Sequence, residues 1–191
     1  MGYTLDVEGT PAEISSGTAI LLEHPSIGGT DPVDTGFLKP GSEPALVVST
    51  RTTAREVAEK LAHYGVDQDR TEIIDTLSVD RGYSRRPRPG VHFVSAPDDV
   101  DGILEAVEAF LVEHDRARVS FDSITELAYY AGEESAAAAL EEVTGLLADH
   151  EAIGLFHVSP EVHETAIRER FANACGALIE IDEDGSMRAD F

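Results

Sequence analysis

The chain has 191 residues, 42% of them hydrophobic, which is enough to bury one core and suits a single domain. With 37 acidic and 14 basic residues the net charge is −23, which argues against sequence-independent binding to a nucleic-acid backbone. No apolar run approaches the roughly 18 residues of a membrane span, and the N-terminus lacks a signal-peptide pattern. We therefore expect a cytoplasmic protein without membrane contacts.

The acidic surplus is accompanied by scarce lysine, since Lys39 and Lys60 are the two lysines, and by the absence of tryptophan. In about 1 M salt, charge is screened within roughly 3 Å. The self-repulsion of such a chain is then quenched. The composition favours a cytosol of very high salt, and hence a halophilic archaeal source, over an ordinary acidic protein. The single cysteine, Cys175, lies in an apolar context and is predicted to be a small core residue.

The pattern of apolar runs predicts an α/β domain over residues 17–191, preceded by a polar arm, residues 1–16, that is loose or docked at an edge. Short apolar runs bounded by turn residues indicate buried parallel strands. We expect strands at 18–22, 45–49, 72–75, 91–95, 119–121, 152–158 and 177–181. We expect helices at about 53–64, 98–114, from 124, 133–150 and 161–174, and a closing hairpin with its turn at Asp184 and Gly185.

One stretch, RARVSFDSITELAYY from Arg116, combines a buried strand with Asp122 and Ser123 at its carboxyl end and a helix beginning at Ile124. It resembles the Walker B strand and following helix of the KaiC/RadA group of RecA-like ATPases. The resemblance spans roughly residues 17–182, and FDSITEL is its most specific part. It implies a RecA-like three-layer sandwich with a mainly parallel sheet and helices on both faces, and it gives Asp122 the role of holding the magnesium of ATP.

The phosphate-binding half of that site is degenerate. The family has a loop of the form G-x-x-x-x-G-K-[ST] after the first strand, whereas this chain has Gly28, Gly29 and Thr30 there and no lysine before Lys39. Two prolines, Pro25 and Pro32, remove amide donors, and three acids, Glu23, Asp31 and Asp34, would repel a triphosphate. The segment after the loop lacks helical periodicity, so we expect its helix to be short or lost.

The catalytic glutamate of the family is also missing, because Thr50 and Arg51 follow the strand that matches its position. We therefore expect no catalytic residue and no cofactor, and a non-hydrolysing regulatory or protein-interaction module. Asp122, Ser123, Gly28, Gly29 and Thr30 form the predicted remnant of the nucleotide and magnesium site. The alternative is a nucleotide-sensing or anion-sensing protein, or an enzyme, with an altered site around Asp122 that still holds a nucleotide or magnesium.

The remaining candidates are a basic island and the histidines. Arg81, Arg85, Arg86 and Arg88 lie within a proline-containing segment, which is either an exposed loop or a docking site for an acidic partner or a phosphate group. The expected partner is a protein or a second copy of the chain. The histidines show no metal-ligand spacing, so no metal site is expected. His157 and His163 are expected at the surface or in caps, and Ser123 is expected to cap a helix.

Overall fold

A computed structural model of the chain describes residues 2–83 and 86–191. Within these residues the strands are β1 (Ala19–Glu23), β2 (Ala45–Ser49), β3 (Thr71–Asp75), β4 (Val91–Phe93), β5 (Arg118–Asp122), β6 (Ile153–Val158), β7 (Ala177–Ile181) and β8 (Met187–Asp190). The helices are α1 (Asp31–Leu38), α2 (Ala54–His63), α3 (Val100–Glu113), α4 (Ile124–Ala131), α5 (Glu133–Asp149) and α6 (Thr165–Ala174). None of the helices in the described part of the chain has the length and apolarity needed to cross a membrane.

All eight strands belong to one sheet, in the order β4-β3-β2-β5-β6-β1-β7-β8. Neighbouring strands are parallel, except that β7 and β8 form an antiparallel hairpin at one edge. Parallel sheets need cover on both faces, and β6, for example, is buried along its whole length. The predicted fold class, a RecA-like α/β sandwich with a mainly parallel sheet, is confirmed.

Two hydrophobic cores lie on the two faces of the sheet. Helices α3, α4, α5 and α6 pack on one face, and α1 and α2 pack on the other. Successive residues of a strand alternate between the cores, so Leu21 packs with the first set while Ile20 and Leu22 pack with the second. Because α1 and α2 follow β1 and β2, their first turns lie beside the carboxyl ends of the central strands.

Residues 2–16 cross the opposite end of the sheet, at the amino ends of β5 and β6. Tyr3 and Ile14 are buried and exchange two backbone hydrogen bonds of 2.7 Å. The Tyr3 hydroxyl donates to the Glu151 carbonyl at 2.7 Å, and the fully buried Arg118 donates to the Thr4 carbonyl at 3.1 Å. The arm thus supplies side chains to the second core.

The structure differs from the sequence-based expectation in two helices. Helix α1 forms within a segment that shows little helical periodicity, and Pro32 is accommodated because it stands in the first turn, where a missing amide costs little. Helix α6 begins at Thr165 rather than at 161, because Pro160–Val162 forms a separate single turn of 3₁₀ helix.

Candidate functional site

A cavity of about 250 Å³ opens at the carboxyl ends of β2 and β5, between the sheet and the helices α1 and α2. Ligands of open α/β folds bind in such a crevice, outside the carboxyl ends of the strands. The side chains and backbone around it include Gly28, Gly29, Thr30, Asp31, Asp34, Arg51, Lys60 and Asp122. The site is therefore dominated by charged groups of both signs.

Asp34 is the innermost carboxylate of α1. It stands in the first helical turn, where negative charge stabilises the positive end of the helix dipole. Its Oδ1 lies 2.8 Å from Nε2 of His157, and its Oδ2 accepts a hydrogen bond of 2.8 Å from the Thr30 hydroxyl. Burial raises the pKa of Asp34, but the charge and contact of His157, with Lys60 and Thr30, together outweigh burial and lower that pKa to about 2. Asp34 is therefore ionised and bound by its own chain.

His157, on β6, is completely buried, so the expectation of a surface or capping role was wrong. Burial lowers its pKa, yet the charges of Asp34 and Asp122 raise the pKa of His157 above its ordinary value. Its Nδ1 lies 3.3 Å from Nε2 of His24 and 4.0 Å from Oδ1 of Asp122. A protonated His157 thus bridges the carboxylates of α1 and β5.

His24, directly after β1, completes this chain of contacts. Its Nδ1 lies 2.8 Å from the Pro25 carbonyl. Because a carbonyl can only accept, Nδ1 carries the proton of the neutral ring, and Nε2 accepts from His157. Burial and then the charge of His157 lower the pKa of His24. The opposite pKa shifts favour a positive charge on His157 rather than on His24.

Lys60, on α2, reaches the same carboxylates from the other side of the cavity. Its Nζ lies 2.7 Å from Oδ1 of Asp31 and 3.4 Å from Oδ2 of Asp34. Burial lowers the pKa of Lys60, but Asp34 and Asp31 outweigh it and leave that pKa raised. The hydroxyl of Tyr64 also donates to Asp31, at 2.6 Å. The lysine is thus bound to the first turn of α1.

Asp122, at the end of β5, faces the cavity and is paired with Arg51. Nη1 of Arg51 lies 3.4 Å from Oδ1 of Asp122, and the two side chains are 39% and 28% exposed. Asp122 is therefore more accessible than Asp34, whose side chain is 13% exposed. Its position agrees with the magnesium-binding role that the family resemblance implies, but its partner here is an arginine of the same chain.

Ser123 has a different environment from Asp122. Its hydroxyl accepts a hydrogen bond of 3.0 Å from the amide of Glu126, which makes it the cap of α4, as predicted. Its own amide donates to the Thr50 hydroxyl at 2.9 Å, and the peptide bond between Asp122 and Ser123 is cis. Ser123 does not line the cavity, because these contacts hold it beneath α4.

The other predicted residues of the nucleotide-site remnant, Gly28, Gly29 and Thr30, do line the cavity with Asp122. Thr30 precedes α1, and its hydroxyl donates a hydrogen bond to Asp34. Asp31 and Asp34, two of the three acids expected to repel a triphosphate, are paired here with Lys60 and His157. Within residues 2–83 and 86–191, no group of histidine, cysteine and acidic side chains could hold a metal ion.

The predicted basic island lies away from this cavity. Arg81, Arg86 and Arg88 are exposed and line a second, larger cleft of about 740 Å³ beyond β3 and β4. Arg85 falls outside the described residues. The cavity and the arginine cleft adjoin at Glu56, which lines both, but the arginines line only the cleft.

Sequence reasoning did not predict the roles of Arg51, Lys60, His24 and His157. One signal was available, because His157 interrupts the apolar run of β6, and an ionisable residue in a doubly covered strand needs a buried partner. Lys60 gave no such signal, since a lysine on an amphipathic helix ordinarily faces solvent.

The family of unknown function DUF7090 matches this chain over residues 1–191. A search of the curated proteins gives no match.

Among solved structures, an uncharacterized protein of Pyrococcus horikoshii, crystallised with an unknown peptide, is 14% identical, with a TM-score of 0.67 and coverage of 93% of this chain and 84% of that one. A KaiC-like protein of the same organism is 16% identical, with a TM-score of 0.65 over 95% and 83% of the two chains. The flagellar accessory protein FlaH of Methanocaldococcus jannaschii is 17% identical, with a TM-score of 0.62 over 99% and 85%. At these identities the likeness shows the fold.

Proposed function

The chain belongs to DUF7090, a family of unknown function, and we propose that it is a non-hydrolysing RecA-like module that regulates a protein partner by binding it. The fold is shared with a KaiC-like protein and with FlaH. The proposal is that the nucleotide site of this fold has become a structural ion-pair network, leaving the outer surface to carry the function.

The observation that carries the proposal is that two cations of the cavity, Lys60 and Arg51, are paired with carboxylates of the chain. Lys60 binds Asp31 and Asp34, and Arg51 binds Asp122. A triphosphate would have to displace these carboxylates and would then face their uncompensated charge. These pairs are partly exposed, and a pair of this kind is worth about 0.2–1 kcal/mol. Such a cost works against nucleotide binding.

The first turn of α1 supports the same conclusion. A helix N-terminus ordinarily attracts phosphate through its free amides and its dipole. Here the first turn carries Asp31 and Asp34, and Pro32 lacks an amide proton. The negative charge that this helix end favours is supplied by its own side chains.

A protein partner is supported by a structural neighbour. The Pyrococcus horikoshii protein with the same fold was crystallised with an unknown peptide. We extend this to a protein-binding role for the present chain, in a cytosol of very high salt, where a net charge of −23 is tolerated.

The competing function is sensing of a nucleotide or small anion at the same cavity. It is favoured by one observation, the partial exposure of Arg51 and Asp122 at 39% and 28%. For this function Arg51 would have to exchange Asp122 for a phosphate, with magnesium taking the released carboxylate.

Phosphate release from Mg·ATP by the purified chain in molar KCl tests the proposal. We expect a rate equal to that of buffer alone, unchanged in Asp122→Ala. Release above background that is abolished by Asp122→Ala would overturn the proposal. The variant Asp182→Ala, which removes a carboxylate near the β7–β8 turn, is the control for a general effect of charge.

A further inference from the structure

Three arginines and three tyrosines form one exposed surface at the end of β3 and α4. We define the arginine–tyrosine surface by residues Arg81, Tyr83, Arg86, Arg88, Tyr129 and Tyr130. Arg81 joins its two halves, because its side chain interacts with both Tyr130 and Tyr83. The ring of Tyr130 in turn packs edge-on against Tyr129, with ring centroids 5.2 Å apart.

The tyrosines of this surface are unusually open. Tyr129 is 81% exposed, Tyr83 is 51% exposed and Tyr130 is 38% exposed. Tyrosine and arginine are the side chains that contribute most often to the energetic centres of protein interfaces, because they offer a large rigid contact area together with polar groups. Their joint exposure on one patch is therefore a mark of a binding surface.

Arg86 and Arg88 lack, among the described residues, the carboxylate partners that several other basic residues have. Although the chain has 37 acidic residues for 14 basic ones, Arg86 and Arg88 have no ion pair with any of the described residues. Elsewhere Arg51, Arg118 and Arg170 are each bound to a carboxylate. In so acidic a chain, Arg86 and Arg88 can therefore still bind carboxylates from another molecule.

The acids of the adjoining cleft are already committed to other partners. Asp75 accepts hydrogen bonds from the amides of Ala54, Leu77 and Ser78 and from the Ser78 hydroxyl. Glu59 is paired with Arg55 at 3.0 Å, and Glu56 closes the capping box of α2. Asp75 is buried by these contacts, while the exposed Glu56 and Glu59 bind Thr53 and Arg55. None of the three forms an ion pair with Arg86 or Arg88 among the described residues.

From these contacts we infer that the arginine–tyrosine surface binds an acidic segment of a partner protein. Guanidinium groups bind carboxylates in a bidentate manner, and the tyrosines offer contacts that salt does not screen. The cleft of about 740 Å³ beside it has room for several side chains of such a segment. Self-association through the same surface is the alternative outcome of the test. The inference rests on the proposed function and names the partner's chemistry.

The test uses the full chain and a fluorescent synthetic peptide of alternating aspartate and glutamate, with binding followed by anisotropy over a KCl series. We expect the affinity to fall with salt and to weaken by about tenfold or more in the double variant Arg86→Ser and Arg88→Ser. Tyr129→Ser should weaken binding while leaving the salt dependence unchanged. Arg188→Ser, which removes an exposed arginine paired with Glu180 on another edge, should bind as the parent does.

Several results would overturn the inference: absence of peptide binding by the parent chain, unchanged binding by the double variant, full displacement of the peptide by inorganic phosphate, or loss of a self-association instead of peptide binding in the double variant. None of these results depends on nucleotide binding at the cavity beside Asp122. Failure of peptide binding with phosphate release at background therefore contradicts this inference alone, whereas ATP hydrolysis with intact peptide binding contradicts the proposed function alone.

Discussion

At the scale of single residues, the balance of charge around Asp34 determines what the cavity can bind. Its two oxygens contact His157 on β6, Thr30 in the loop that precedes α1, and Lys60 on α2. None of these contacts belongs to a sequence motif that could be recognised beforehand. The cations of the site are thus paired with carboxylates of the chain itself.

Asp34→Asn should destabilise the protein by about 3 kcal/mol, because a neutral amide leaves His157 and Lys60 without their shared counter-charge. The free energy of unfolding by urea in molar KCl measures this. Asp31→Asn is the matched control, since Asp31 also binds Lys60 but its side chain is 36% exposed, against 13% for Asp34. A loss for Asp34→Asn no larger than that for Asp31→Asn would contradict the assigned roles.

The same pair predicts how stability depends on pH. The pKa of His157 is raised, so its contribution is complete below about pH 6.5, the ordinary value. That contribution is lost as the pH rises through the raised pKa. The pKa of Asp34 is lowered to about 2, so its contribution is lost as the pH falls from its ordinary value, about 3.8, towards about 2.

Unfolding free energies measured at a series of pH values test this. We expect the parent chain to lose stability on the alkaline side, and His157→Asn to show a flatter alkaline limb from a lower starting stability. Equal alkaline slopes for the two proteins would count against a protonated His157.

At the scale of elements, β1, β2 and β6 could be predicted from sequence because each is a short apolar run that both faces of the sheet bury. Capping residues such as Thr53 and Ser123 likewise gave the starts of α2 and α4. Helix α1 could not be predicted, because its Gly36 and Pro32 read locally as helix breakers. The reason for Gly36 lies in a distant segment, since its carbonyl accepts a 2.9 Å hydrogen bond from the amide of Asp6.

Gly36→Ala should therefore destabilise the chain by about 1–3 kcal/mol, although alanine is the better helix former. A Cβ at this position would lie 2.1 Å from the Asp6 carbonyl oxygen, so the arm would have to move. Gly145→Ala in α5 is the control, because its Cβ would meet nothing within 4 Å. That variant should gain about 0.5–1 kcal/mol. Thermal melts of the two variants giving shifts of the same sign would refute the close packing of the arm.

The ion-pair network of the cavity could not be predicted from the sequence, for a similar reason. The resemblance around Asp122 located the crevice, and the residues 28–30 do line it with Asp122. The pairing of His157 with Asp34 joins residues far apart in sequence, and only the strand order, which places β6 next to β1, brings them together.

At the scale of the whole molecule, the net charge of −23 sets the conditions under which the fold is stable. Surface repulsion is screened by salt, whereas the buried pairs around Asp34 and Arg118 are screened much less. The melting temperature should therefore rise steadily with KCl up to molar concentrations. Differential scanning calorimetry over a KCl series measures it, and a melting temperature that stays constant or falls would contradict the proposed high-salt environment.

The central claim is that the cations of the cavity at the carboxyl ends of β2 and β5 are held by the chain's own carboxylates. Isothermal titration of the purified chain with Mg·ATP in molar KCl tests it most directly. The account predicts no saturable heat at millimolar nucleotide, in the parent chain and in Asp122→Ala alike. Saturable, magnesium-dependent binding in the micromolar range that disappears in Asp122→Ala would contradict it.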